Sequence, residues 1–183
     1  KMLKIVIVGT GWWGMELGKA STDIPEAIEI LGCCSLSEPE RAKFQSQFGG
    51  EVYKNFEDVL ALADVDAVLL ATPHSLHRDQ VIAAANAGKH VFCEKPPGRT
   101  VNDVHRMQEA EKRNPSGKLM FGFNHRYHPG IMKAKAIVDS GRLGKILTLR
   151  GLYGKSGGKS FPDSWRNDVS ISGGGILLDQ GIH

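Results

Sequence analysis

Short apolar runs alternate with amphipathic stretches along most of the chain. Leu3–Val8 reads LKIVIV and stops at Gly9. A continuous β-branched run of that kind predicts a strand buried on both faces. Further strands are predicted at Ala27–Cys34, Val65–Ala71, His90–Cys93 and Leu119–Phe123. Helices are predicted between them at Trp12–Thr22, Pro39–Phe48, Phe56–Ala63, Leu76–Ala87 and Thr100–Arg113. The punctuation agrees: Glu38-Pro39 opens one helix and Gly49-Gly50 closes it, Gly88 stops another, and Thr100 stands where an N-cap belongs. Strands alternating with helices predict an α/β fold, a doubly wound parallel sheet of the Rossmann type, over residues 1–122.

The texture changes after that. Pro129–Ser140 reads as a helix ended by Gly141, and Lys145–Tyr153 alternates like a strand. Gly154–Ser160 is rich in Gly, Ser and Lys and reads as a mobile loop, and Gly175–His183 reads as the opening of a helix. A helix, a strand and a helix start do not make a core. Residues 123–183 are therefore expected to begin a second, α+β substrate domain that is incomplete as given.

Composition narrows the class without naming a function. With 183 residues, 41% hydrophobic and 23% charged, the chain resembles an ordinary soluble globular protein. A net charge of +3 does not point to nucleic acid. The charge is uneven: residues 123–183 hold 9 Lys/Arg and 4 Asp/Glu, a balance of +5, which suits an anionic substrate unless later residues balance it. Cys33, Cys34 and Cys93 form no metal-ligand spacing, so no metal is expected. Adjacent Cys33 and Cys34 in a strand point to opposite faces and read as buried thiols of a reducing compartment. No apolar run approaches the roughly 18–20 residues that span a membrane, and the chain enters a strand with no signal-peptide pattern. A cytoplasmic protein with no membrane partner is expected.

Gly9-Thr10-Gly11-Trp12-Trp13-Gly14 matches G-x-G-x-x-G between a predicted strand and a predicted helix. The first glycine allows the tight turn, the second lets backbone approach a pyrophosphate, and the third lets the helix pack on the strand. The phosphates then meet the positive end of the helix. Trp12 and Trp13 fall within this cofactor-binding turn but read as packing residues. At the tip of the second strand, Cys34-Ser35-Leu36-Ser37-Glu38 has no acid at position 35 or 36. Ser35, Ser37 and Arg41 suit a ribose 2′-phosphate, which favours NADP(H) over NAD(H), unless Glu38 reaches back to the ribose.

Two further motifs carry chemistry. Cys93-Glu94-Lys95-Pro96-Pro97-Gly98 follows a buried strand, so Lys95 lies at the carboxyl end of the sheet, where a lysine can stabilise a developing alkoxide. Lys95-Pro96 is a candidate cis bond. Near the end, Gly173-Gly174-Gly175-Ile176-Leu177-Leu178-Asp179-Gln180-Gly181-Ile182-His183 sets Asp179 four residues before His183. On a helix both side chains share a face, and a carboxylate beside an imidazole can orient it and fix its tautomer.

Together the glycine turn, the Glu-Lys-Pro run and the Gly-Gly-Gly-x-x-x-Asp-x-x-x-His segment resemble the glucose–fructose oxidoreductase/inositol dehydrogenase/MocA family across the whole chain. The resemblance implies an NAD(P)-dependent dehydrogenase or reductase acting on a secondary alcohol of a sugar, polyol or nucleotide sugar, and a homo-oligomer when full length. It implies that Lys95 contacts the reacting hydroxyl, His183 exchanges its proton, and Asp179 assists. By the same likeness Thr72, Pro73, His77 and Glu94 belong to cofactor-contacting loops, and Arg126, Trp165 and Arg166 line the substrate site more weakly. Two other functions remain open: a glycoside hydrolase that retains its dinucleotide and works by transient oxidation, and a non-catalytic dinucleotide-sensing regulator.

Overall fold

The computed structural model describes residues 2–154 and 163–183. Six strands, β1 (Leu3–Val8), β2 (Ile28–Cys34), β3 (Glu51–Tyr53), β4 (Ala67–Leu70), β5 (His90–Cys93) and β6 (Leu119–Phe121), form one sheet in the order β3-β2-β1-β4-β5-β6. Every pairing is parallel. The connections run through α1 (Trp12–Thr22), α2 (Glu38–Phe48), α3 (Phe56–Leu60), α4 (His74–Asn86) and α5 (Val101–Arg113). After the sheet come a 3₁₀ turn at Asn124–Tyr127, α6 (Pro129–Asp139), α7 (Val169–Ser172) and a π-helical turn at Leu177–Gly181.

Side-chain alternation along β1 explains the two apolar layers. Ile5 and Ile7 join Met15 of α1 and Phe44 of α2 on one face. Val6 and Val8 join Val59, Val81, Ala84 and Met107, from α3, α4 and α5, on the other. Cys33 lies in the first layer and Cys34 in the second, on opposite faces. Burial drives both thiols up to about 11, so they are packing groups rather than nucleophiles.

The parallel order reverses between β1 and β4. Loops leaving these two strands diverge, and a crevice opens above their carboxyl ends, the place where open α/β sheets bind ligands.

Two elements depart from the sequence pattern. β3 was not signalled, because an edge strand of three residues with the burial pattern exposed, exposed, intermediate has no apolar run to betray it. Lys145–Tyr153 does alternate, yet it forms no strand. Leu147, Leu149 and Leu152 are 85–87% exposed. Alternation makes a strand only where a neighbour completes the hydrogen-bond ladder, and among the described residues none lies beside it. Of the expected Gly154–Ser160 loop, residues 155–160 lie outside the described residues.

One cap braces the loop beyond Lys95. Asp103 accepts from the amides of Arg99 and Thr100 (3.0 Å each) and from Arg78 Nη1 (3.2 Å), while Thr100 Oγ1 accepts from the Asp103 amide (3.1 Å). This capping box satisfies amides that the start of α5 would otherwise leave open. Burial alone would raise the Asp103 pKa, but these hydrogen bonds outweigh it and lower it. A depressed folded pKa gives stability that is complete above the unfolded carboxylate range and fades as pH falls through the folded value. Asp103→Ala should therefore cost about 1–3 kcal/mol at neutral pH, read by urea denaturation, with the difference from wild type shrinking in acid.

Candidate active site

The first feature of the site is a groove over the β1–β4 divide. Gly9 turns with φ +88°, and a Cβ there would lie 2.7 Å from the Ala71 carbonyl oxygen. A Cβ on Gly14 would lie 2.0 Å from the Gly9 carbonyl oxygen, so only glycine lets α1 approach β1 this closely. Gly11 differs: a Cβ on it would meet only Glu40 Oε1, at 3.9 Å. Gly11 also starts α1 without a side-chain cap. The backbone thus offers helix-start N–H groups beside open space, a cradle that fits a pyrophosphate. Residues Gly9, Gly11, Trp12, Trp13, Thr72 and Pro73 line this groove, and Ser35, Ser37 and Glu40 line its far end.

A second cavity adjoins the groove, and Trp12, Trp13, Thr72, Trp165 and Arg166 line both. Into it project Glu94 and Lys95 from the end of β5, His125 from the 3₁₀ turn, and Asp179 and His183 from the C-terminal segment. Lys95 Nζ donates to Asp179 Oδ1 (2.9 Å) and to the Asp179 carbonyl oxygen (2.6 Å). Asp179 Oδ2 accepts from Gln180 Nε2 (2.8 Å) and lies 3.6 Å from Arg166 Nε. The Arg166 guanidinium in turn stacks 4.6 Å from the Trp165 ring centroid.

This geometry corrects the expected Asp179–His183 couple. The segment carrying Asp179 is a π-helical turn over Leu177–Gly181, not an α-helix, and His183 lies beyond its end, so the two residues share no helical face. Asp179 turns to Lys95, Gln180 and Arg166 instead. Burial would raise its pKa, but the hydrogen bonds from Lys95 and Gln180 and the nearby Arg166 charge outweigh it and hold the carboxyl low. His183 stacks on His125, with centroids 3.9 Å apart and planes at 17°. Its buried Nδ1 has no hydrogen-bond partner among the described residues. Burial, and then the positive charges of His125 and Lys95, push His183 down to about 4 against the pull of Asp179. Its ring is neutral at neutral pH and open to a proton.

Three more expected roles change. His77 does not face the groove; it is fully buried, with Nδ1 2.8 Å from the Pro96 carbonyl oxygen and Nε2 2.9 Å from that of Thr72. It ties the two loops together from behind. Arg126 is exposed and lines neither cavity, because the 3₁₀ turn directs its neighbour His125 inward. Arg41 also leaves the groove: its guanidinium donates to the Ser35 carbonyl oxygen. The Lys95-Pro96 bond is cis.

His74, which reads in the sequence as an ordinary polar residue, is 5% exposed and lines the cavity. Its Nδ1–H donates to the Ser172 carbonyl oxygen (3.0 Å), since a carbonyl can only accept, and its ring meets Trp165 edge-on at 4.8 Å. Burial pushes it to about 4. Glu40, His74 and His125 carry no sequence signal of their own; only the fold brings them to the site. Among the described residues no group of three or more His, Cys, Asp or Glu could hold a metal ion, and no helix is long and apolar enough to cross a membrane.

A Rossmann-type sheet, a glycine turn and an adjoining pocket of lysine, aspartate and histidine define a dinucleotide-binding protein. The chain belongs to the GFO/IDH/MocA oxidoreductase family: residues 3–123 match the model described as oxidoreductase family, NAD-binding Rossmann fold, and residues 131–183 match a GFO/IDH/MocA C-terminal domain. It is 33% identical to levoglucosan dehydrogenase of Pseudarthrobacter phenanthrenivorans over 99% of this chain and 49% of that protein. It is 32% identical to inositol 2-dehydrogenase of Salmonella paratyphi B over 82% of this chain and 46% of that protein. A solved structure of levoglucosan dehydrogenase in complex with NADH and levoglucosan matches with a TM-score of 0.89 at 31% identity, covering 98% of this chain and 51% of that one. The chain spans about half the length of these relatives.

The glycine geometry gives a direct prediction. Gly14→Ala forces a Cβ into the Gly9 carbonyl and should weaken dinucleotide binding at least tenfold, read as lost quenching of the adjacent Trp12 and Trp13 fluorescence in a titration.

Proposed function

We propose that the protein is an oxidoreductase that moves a hydride between a nicotinamide dinucleotide and a secondary alcohol of a sugar, polyol or nucleotide sugar. The observation that carries this reading is the Lys95–Asp179 contact beside His183, in a cavity continuous with the glycine-turn groove. Gly9, Gly11 and the start of α1 would hold the pyrophosphate, and Thr72 and Pro73 would flank the chain of the cofactor toward the pocket. When bound, the nicotinamide supplies the hydride acceptor or donor. His183, neutral through its burial, takes the hydroxyl proton. Lys95 Nζ donates to the oxygen as negative charge develops on it. Asp179 keeps the ammonium aimed into the pocket, and Arg166 shares that carboxylate. Residues 1–122 are the dinucleotide-binding domain in this reading, and 123–183 begin the substrate domain of a homo-oligomeric enzyme acting on small molecules in the cytoplasm.

The cofactor's ribose admits two readings. Ser35 and Ser37, with no acid at the strand tip, support NADP(H). A specific observation favours NAD(H): the groove end is lined by Glu40, whose Oε2 accepts from Ser35 Oγ (3.0 Å), while Arg41 is engaged away from it. A carboxylate there accepts hydrogen bonds from a ribose diol and repels a 2′-phosphate. NADH should therefore bind more tightly than NADPH, and Glu40→Gln should narrow the ratio of their dissociation constants by about tenfold, measured by calorimetry.

The function itself is tested on the whole protein with a panel of sugars and polyols. Net formation of NAD(P)H is expected; cleavage of a glycosidic bond with none would establish the hydrolase reading, and binding without turnover the sensor reading. Lys95→Ala should lower kcat/KM by about 10²–10³-fold while dinucleotide affinity stays within a few-fold of wild type. Unchanged turnover in that variant would remove Lys95 from the mechanism.

A further inference from the structure

The stacked histidines do more than line the pocket. His125 leaves β6 on the 3₁₀ turn and comes to lie parallel to His183, with ring centroids 3.9 Å apart and planes at 17°. Tyr153 closes the edge of the stack, meeting His125 at 5.0 Å and 86° and His183 at 6.3 Å and 74°. The charged groups that face His183 are Lys95 after β5, His125 on the 3₁₀ turn and Asp179 on the π-turn. Asp179 has both side-chain oxygens engaged by Lys95, Gln180 and Arg166 and makes no hydrogen bond to His183. The ring plane of His183 is therefore fixed by the stack, not by a carboxylate. Two imidazoles this close repel strongly when both are protonated, so the pair accepts one proton readily and a second only at much lower pH. The Lys95 ammonium and the unpartnered, buried Nδ1 act against a proton on His183.

We propose that His125 is a positioning residue for His183: it holds the ring of the proton acceptor in plane, and a charge on it opposes a proton on His183, so that His183 stays open to a substrate hydroxyl. The inference rests on the reading of His183 as the base, and it deepens that reading. The two rings come from separate elements, His125 from the turn after β6 and His183 from just beyond the π-turn.

The test is an NMR titration of the histidine Cε1–H signals in the whole protein, paired with the pH profile of kcat/KM. In the wild type, the His183 signal should show two inflections, the upper one coincident with the titration of His125. In His125→Phe, which keeps an aromatic ring in the stack but not its charge, the upper inflection should vanish. The main His183 midpoint should rise by about half a pH unit or more, and the acid limb of kcat/KM should move up with it. A single His183 inflection in the wild type, or an unmoved midpoint and acid limb in a His125→Phe protein that still binds dinucleotide, would overturn the proposal. The wild-type measurement decides the matter even if the variant does not fold. His183→Asn separates this inference from the reading beneath it. If that variant keeps its turnover, His183 is not the base and the catalytic meaning of the stack falls. If turnover is lost while the two rings titrate independently, only the role given to His125 fails.

Discussion

The Lys95–Asp179 contact joins groups 84 positions apart, and the pocket takes its shape from it. Lys95 is set by the strand that precedes it; Asp179 sits on a segment with little core of its own. The two side chains are only 15% and 14% exposed. Desolvation of such a pair cancels much of its Coulomb attraction, so the pair adds little net stability to the fold. Breaking it is another matter. Loss of either partner strands a nearly buried charge, which costs several kcal/mol, and the Nζ bond to the Asp179 backbone oxygen anchors the turn itself. The contact therefore acts as a latch: weak evidence for stability, strong evidence for position.

The sheet explains why the latch falls beside the cofactor groove. All six strands run parallel, so every carboxyl end lies on one side. The loop after β1 carries the glycine turn, the loop after β4 carries Thr72 and Pro73, the loop after β5 carries Glu94 and Lys95, and the turn after β6 carries His125. Buried His77 holds the second and third of these together through the carbonyls of Thr72 and Pro96. A histidine that seems in sequence to reach for a ligand is instead a brace between two loops that line the cavities.

The parts of the fold legible in the sequence are those with local causes. β1 announces itself by its run of β-branched residues, the groove by its glycine turn, in which Gly9 and Gly14 each answer a backbone demand, and α5 by the Thr100 cap. β3 is silent because an exposed edge needs no hydrophobic pattern. The strand expected at Lys145–Tyr153 failed for the converse reason, since the pattern is present and the ladder partner is not. Within the candidate site, Lys95, Asp179 and His183 were legible from motifs, but their pairing was not. The i,i+4 rule assumes one continuous α-helix, and here Asp179 sits on a π-turn that ends before His183. Glu40, His74 and His125 are decided by tertiary placement, to which a linear reading is blind.

The arrangement also divides charge in a way that suits one kind of chemistry. Lys95 and Arg166 bring two cations to the pocket against the single carboxylate of Asp179, which is held ionised between them. The other carboxyl, Glu94, has its pKa raised by burial, against the pull of hydrogen bonds and the Lys95 charge. His74 and His183 are both kept uncharged by burial, and the surplus of positive charge reinforces that state. For the proposed hydride transfer, a pocket that is positive at its fixed groups and neutral at its titratable rings would stabilise negative charge on an oxygen and leave a base free for the proton that oxygen loses. Neither half would follow from the original Asp179–His183 couple, in which the carboxylate would have favoured a protonated imidazole. By giving the aspartate to the lysine, the fold leaves the histidine neutral and without a carboxylate partner.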